Sequence, residues 1–279
     1  MAEFFAGLRA WVSSFLVPPN ALILFYDHLS EDDPEELSQV LETIGRHYEF
    51  VPLRSLIREF ALKGAWRGKA AVAFRYPRKS IWFRARPALE ARHIPFTIFL
   101  RPDCIGLNRL PPHNEWELFC WAYPTKAAEL KQDPSFLKRS WNEEILVDLR
   151  RKWGPLPLSD MDGLFFFETW GRLRTQGQGG IDWGLVLDDA ASLASVERDT
   201  QEIERQLSLR PDVFLRDTSK DEVWDHLRKG GNVLGAVHPK EGVIHLQSEV
   251  SCLPVWEHEL STKTCSSLGL LKRPRPHLP

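Results

Sequence analysis

Residues 70–100 read AAVAFRYPRKSIWFRARPALEARHIPFTIFL, a short apolar run, a break, a helix-sized connection and a second apolar run. Ala70 to Phe74 is uniformly apolar, the composition of a strand buried on both faces of a parallel sheet. Arg75, Tyr76 and Pro77 interrupt it, Pro87 to Arg92 is helix-compatible, and Ile94 to Leu100 is rich in β-branched and aromatic residues. Together these make one βαβ unit, so the expected class is α/β with a largely parallel sheet. In such sheets and barrels ligand groups gather past the carboxyl ends of the strands. Arg75 to Arg78 and Arg101 to Cys104 are therefore the first candidates for function.

Working outward, Ala21 to Tyr26, Ile181 to Leu187, Asp212 to Leu215 and Val233 to Val237 are further strand-like runs. Phe4 to Leu16 has apolar residues at helical spacing and ends at Pro18-Pro19, and the expectation is a helix over 1–19 packed on the sheet domain. Glu31 to Pro34 is a helix start, with acids near the positive end of the dipole and Leu37, Val40, Leu41 and Ile44 on one face. Pro102 to Pro124, rich in Pro and Trp, reads as a loop, and Glu143 to Trp153 as a charged helix with a solvated face. Gly177 to Gly180 is a loop without the spacing or the following Lys-Ser/Thr of a phosphate cradle. Asp188 to Leu207 reads as a helix with an acid-rich start, and Lys263 to Pro279 belongs to a flexible basic tail, taken as 261–279.

With 279 residues, the chain is long enough for one large α/β barrel, and no second core is demanded. A net charge of -2 gives no electrostatic case for nucleic acid. The four cysteines lack Cys-x-x-Cys spacing and read as reduced thiols. The amphipathic N-terminus carries Glu3 and Arg9 and fails as a secretory signal, and no run is long enough to span a membrane. The expectation is a soluble, cytoplasmic chain, although one trimmed of its signal would read the same way. Eleven tryptophans suit cores, interfaces and sugar stacking alike.

The stretch also resembles the polysaccharide deacetylases of the NodB type. In that family a strand ends Thr-Phe-Asp-Asp-Gly and the next reads Ile-Pro-Ala-Thr-x-Phe. Here Arg86-Pro87-Ala88-Leu89 and Ile94-Pro95-Phe96-Thr97-Ile98-Phe99-Leu100, followed by Ile105-Gly106, keep the scaffold half of this pattern. The order of elements over roughly 20–257 follows the family too, from the opening strand ending Tyr26-Asp27-His28 to Leu253-Pro254-Val255. The resemblance implies a distorted (β/α) barrel of about seven or eight strands, occupying residues 20–260.

The chemical half of the pattern is missing. Ala73-Phe74-Arg75-Tyr76-Pro77 puts Arg75 at the catalytic-base position and Tyr76 at the first metal-ligand position. Gly184 and Asp188 fall about where the family has its two histidine ligands, and no histidine occurs between His113 and His226. A hydrolytic zinc needs about three N/O ligands and a carboxylate to manage the proton of its water. Arg75 would oppose a divalent cation at short range, so no metal and no cofactor are expected. His238, past one strand, and His28, near another, are the histidines that a barrel mouth would bring together; the alternative is polar loop residues.

The resemblance thus implies a deacetylase-like chain without deacetylase chemistry, binding carbohydrate or a protein partner. An active hydrolase on N-acetyl bonds using other residues is the competing reading, and a protein-interaction module presenting Trp11, Phe15, Trp116 or Trp121 is a third. Arg75, Arg78, Arg101 and Arg216, all at or beyond strand ends, form a candidate pocket for an anionic ligand, with Tyr76 and Asp188 beside them. Against this stands simple pairing of those arginines with Asp103, Asp188, Asp189 or Asp217.

Overall fold

Leu22–Tyr26 (β1) is buried along its whole length, as its unbroken apolar sequence requires. The computed structural model describes residues 21–26, 33–62, 67–107, 110–131, 143–154, 166–177, 180–188, 191–217, 223, 225, 227, 235–240, 243–246 and 252–257. The proposed helix over 1–19 and the tail over 261–279 lie outside them. Asp33–Gly45 (α1) follows, with Leu37, Val40, Leu41 and Ile44 forming its buried stripe. Glu49–Phe50 (β2), Leu53–Ala61 (α2) and Lys69–Phe74 (β3) come next.

The connection from β3 to Phe96–Leu100 (β4) is tighter than the sequence indicates. Ile81–Ala85 is a π-helix that runs into Arg86–Glu90 (α3), and the Arg86 N–H reaches back five residues to the Ile81 carbonyl. The wide turn sits just ahead of Pro87, which has no N–H to give to an ordinary helical ladder. His93, at φ 54, ends the segment, and Ile94 and Pro95 lie before β4 rather than in it.

Pro102 to Pro124 is not a loop. After a 3-10 turn at Pro102–Cys104, Pro112–Ala122 (α4) is helical, because Pro112 occupies the first turn, where a missing N–H costs nothing. Pro124–Lys131 (α5) and Glu143–Trp153 (α6) complete a helical lobe with its own small core of Phe119, Ile145, Leu146 and Leu149. The face of α6 that carries Ile145, Leu146 and Leu149 is therefore buried, and the more exposed Arg150 forms two hydrogen bonds of 2.6 Å with the carboxylate of Glu115. Trp116 belongs to this lobe, half-buried and 6.2 Å from the Trp153 ring, rather than to an open patch. Trp11 and Phe15, and the Trp121 side chain, lie outside the described residues.

Trp170–Gln176 (α7) precedes Ile181–Asp188 (β5). Asp188 still belongs to the strand, and the next helix, Leu193–Leu207 (α8), starts only where Ser192 and Ser195 form a reciprocal capping box. Val213–Asp217 (β6), Gly235–Lys240 (β7), Val243–Leu246 (β8) and Cys252–Glu257 (β9) finish the sheet.

The strands follow the order β1-β9-β8-β7-β6-β5-β4-β3-β2, and β1 pairs with β3 as well as with β9. That extra pairing closes the sheet into a ring, with the short β2 sharing the β3 edge used by β4. All ladders are parallel except β7 with β8 and β8 with β9. This is the expected distorted α/β barrel.

Its two faces are fixed by contacts. The Phe25 and Phe99 rings lie 6.4 Å apart although β3 separates their strands, and Phe99 fills the space a side chain on Gly184 would need. Trp183, the neighbour of Gly184, instead packs on Gly177 at the end of α7, among the helices. The inner face therefore carries Phe25, Phe99 and Gly184, and the outer face carries Trp183.

Candidate functional site

Because β1, β3, β4, β5 and β6 run parallel, their carboxyl ends share one rim of the barrel. The structure brings Arg75, Tyr76, Arg101, Asp188 and Arg216 to that rim, each at or just after a strand end.

Arg75 prolongs β3. Its N–H donates to the Tyr26 carbonyl at 2.9 Å, and its guanidinium lies over the Phe25 ring, 5.7 Å from the centroid. Phe25 is an inner-face residue, so Arg75 enters the barrel mouth, where it is 9% exposed. A cation on an aromatic face is attracted by the ring quadrupole, the more so when water is excluded.

Tyr76 is buried at 1% exposure and stacked on Phe167, with centroids 4.9 Å apart. Phe167 arrives on a strap that pairs antiparallel with the segment after β3. Lys79 N–H donates to the Phe166 carbonyl at 2.9 Å, Glu168 N–H donates to the Pro77 carbonyl at 2.8 Å, and Arg78 bridges Phe167. Arg78 is buried at 1% exposure, so it lies under the strap and not on an open surface. The strap was not singled out from sequence. Its signal is the run Phe165-Phe166-Phe167-Glu168, too apolar for the loop its position implies.

Arg101 donates from Nε to Asp103 Oδ1 at 3.0 Å. Asp199 of α8 lies in the same group. Burial pushes its carboxyl up, its neighbour Arg198 pulls it down, Asp103 pushes it up, and Arg101 pulls it down. Arg101 thus has counter-charges within its own turn and on α8.

Register locates the rest. Gly184 pairs with Phe99 in the middle of β5, not at its end, and an added Cβ would lie 2.4 Å from the Phe99 ring. It is a packing position inside the barrel and not a vacated ligand position. Asp188 ends β5 directly opposite Asp217 of β6. Arg216 pairs with Leu187 in the register of β5 and β6, one residue before Asp217. His238 lies within β7, opposite His245 of β8, rather than past the strand; His28 is outside the described residues.

At the opposite rim, Arg54 of α2 pairs with Asp212 at 2.9 Å. Asp182, near the start of β5, shares that group. Burial raises its carboxyl above the ordinary range, Arg54 lowers it and Asp212 raises it further.

Arg75, Tyr76 and Gly184 offer no carboxylate or imidazole, and no group of three or more His, Cys, Asp or Glu among the described residues could hold an ion. Among the described residues, no helix is long and apolar enough to cross a membrane.

No family model and no curated protein matches the sequence. The fold is similar to that of a de-N-acetylase from Aggregatibacter actinomycetemcomitans, with a TM-score of 0.52 and 13% identity over 90% of this chain and 99% of that chain. IcaB from Ammonifex degensii matches with a TM-score of 0.49 and 15% identity over 78% of this chain and 82% of that one. A deacetylase, PplD, from Streptococcus pyogenes matches with a TM-score of 0.46 and 11% identity, over 75% and 79% respectively. The described chain thus has a deacetylase-like fold, a distorted barrel of the NodB kind.

Proposed function

We propose that the protein is a deacetylase-like pseudoenzyme that binds carbohydrate, or a protein partner of a glycan pathway, without cleaving amides. One observation carries the reading. At the strand end where the resembling deacetylases hold paired carboxylates, Arg75 lies over Phe25 and Tyr76 lies under Phe167, both buried. Hydrolysis through a metal needs an open coordination position and a base beside it. A stacked phenol and a buried guanidinium supply neither.

The same packing favours a filled mouth over an anion pocket. Arg101 is held by Asp103, and Arg78 is buried under the strap. Of the four arginines expected near that mouth, Arg75 is the one whose guanidinium lies over an inner-face ring among the described side chains. The likeness to a de-N-acetylase supports a glycan as the ligand.

The test combines elemental analysis of the purified protein, acetate release from chitooligosaccharides, and calorimetric titration with the same sugars. Binding without acetate release and without stoichiometric zinc is the expected result. Stoichiometric zinc together with acetate release refutes the reading. A thermal-shift screen of anionic sugars, nucleotides and sulfate is expected to stabilise the wild type no more than Arg75→Ala.

A further inference from the structure

Phe167 is the side chain that seats the strap on the end of β3, its ring stacked on Tyr76. The backbone bonds around it form no regular ladder. Lys79 N–H donates to the Phe166 carbonyl at 2.9 Å, Glu168 N–H to the Pro77 carbonyl at 2.8 Å, and Gly106 N–H to the Glu168 carbonyl at 3.2 Å. Arg78 and Phe167 make an isolated bridge. The Glu168 side chain is 4% exposed, yet its carboxylate stands 3.7 Å from an Arg172 that is half in water. So long a pair offsets only part of what burying a carboxylate costs. Segments held in this way open at less cost than the strands beneath them, and ligand-binding loops are drawn from such segments.

What Phe167 covers has the form of a sugar platform. The two rings lie 4.9 Å apart and 24° from parallel, so a flat apolar disc rests on one face of Tyr76. A pyranose ring is a disc of similar footprint, and its C–H groups suit the negative face of an aromatic ring. Two residues on, Arg78 is buried beneath the strap, and a guanidinium brings donors of the kind that sugar hydroxyls accept. The strap leaves α7 at Thr169, which is extended and caps the helix by accepting the Arg172 N–H at 3.3 Å. Residues 166–168 can therefore swing about a fixed helix start.

We infer that the strap is a ligand of its own barrel: Phe167 occupies the face of Tyr76 on which a neutral sugar ring stacks once residues 166–168 lift away. This rests on the reading of the protein as a carbohydrate binder, and it gives that reading a subsite and a control. With the strap down the mouth is filled. With the strap up the Tyr76 face and the Arg78 donors are open to the glycan. Sugar binds the fraction of molecules whose strap is lifted, so the affinity measured is the intrinsic one reduced by that fraction.

Amide hydrogen exchange of the wild-type chain, followed by NMR with and without chitooligosaccharide, reads the strap directly. The amides of Lys79, Gly106 and Glu168 are expected to exchange faster with sugar bound, the reverse of the protection that a rigid site gains. Unchanged or slower exchange at those amides in the sugar-bound chain overturns the inference. Calorimetry with the same sugar supplies a second reading. Phe167→Ala is expected to bind about tenfold or more tightly than the wild type, because the closed state loses its ring. Tyr76→Leu in that background is expected to abolish the gain.

Binding by Phe167→Ala equal to or weaker than that of the wild type overturns the inference, and so does a gain that survives Tyr76→Leu. If Phe167→Ala does not fold, Phe167→Leu, which keeps apolar bulk without a flat ring, takes its place. The exchange experiment needs no variant and decides by itself when the wild type binds. Failure here is separable from failure of the proposed function. A wild type that binds sugar under a fixed strap defeats the strap's role alone, whereas no binding by the wild type or by either Phe167 variant defeats the carbohydrate reading as well.

Discussion

Tyr76 lies nearly face to face with Phe167, ring planes 24° from parallel, so the end of β3 is pinned to a strap contributed from beyond the helical lobe. Truncating a ring of this size in a core costs about 3–5 kcal/mol. Tyr76→Ala is therefore expected to lose that much in urea unfolding, and Tyr76→Phe about 1 kcal/mol. Equal losses would mean that the hydroxyl, not the stack, fixes the strap.

Gly184 has no room for a methyl group. An added Cβ would meet the Phe99 ring at 2.4 Å and the Val213 carbonyl oxygen at 2.9 Å, and the second contact is backbone that cannot swing aside. Gly184→Ala should destabilise by about 1–3 kcal/mol, with Phe99→Leu recovering only part of it. Full recovery in the double variant would show that the ring alone sets the limit.

In the helical lobe, Glu115 is nearly buried while Arg150 is 42% exposed in its side chain. Removing the arginine strands a carboxylate between α4 and α6. Arg150→Ala is expected to cost about 1–2 kcal/mol, below the value for a wholly buried pair because water reaches the arginine side. Limited proteolysis should then cut first in the lobe. Protection of the lobe equal to that of the wild type would show that its aromatic cluster suffices.

Asp182 gives the barrel a pH dependence of definite sign. Burial, the largest influence, raises its carboxyl, Arg54 opposes and Asp212 reinforces. The folded chain therefore holds this proton more tightly than the unfolded chain does. The Asp182 contribution falls as pH rises from the ordinary carboxylate value through the raised one, and stays low above it. Asp182→Asn should flatten that part of the stability curve, with its advantage over wild type growing across the window. Parallel curves for the two proteins would refute the assignment.

Much of the barrel was legible because its parallel strands are short, wholly buried apolar runs. Leu22–Tyr26, Lys69–Phe74 and Ile181–Asp188 fall within a residue of their expected bounds. The antiparallel pair β8 and β9 was not, since Val243–Leu246 is short and Cys252–Glu257 carries Pro254 inside it. The helix Pro112–Ala122 was hidden behind a Pro-Pro pair that marks a start as readily as a break.

At the rim, sequence spacing identified the strand ends but not their phase. The register sets Arg216 beside Leu187 and Asp217 beside Asp188, pairings that a count along one strand does not give. Counting along β5 could not reveal that Gly184 faces Phe99 across a ladder, because that fact belongs to pairing between strands.

The pairing of β1 with both β3 and β9 also bears on how the chain is made. During synthesis β1, β3, β4, β5 and β6 can zip together in order, but the free edge of β1 has no partner until Cys252–Glu257 has left the ribosome. An unpaired, wholly apolar edge is an aggregation hazard. Among the described strands, the last to emerge is thus the one that shields the first, and a nascent chain arrested before it would expose a sticky edge to chaperones and to its own copies.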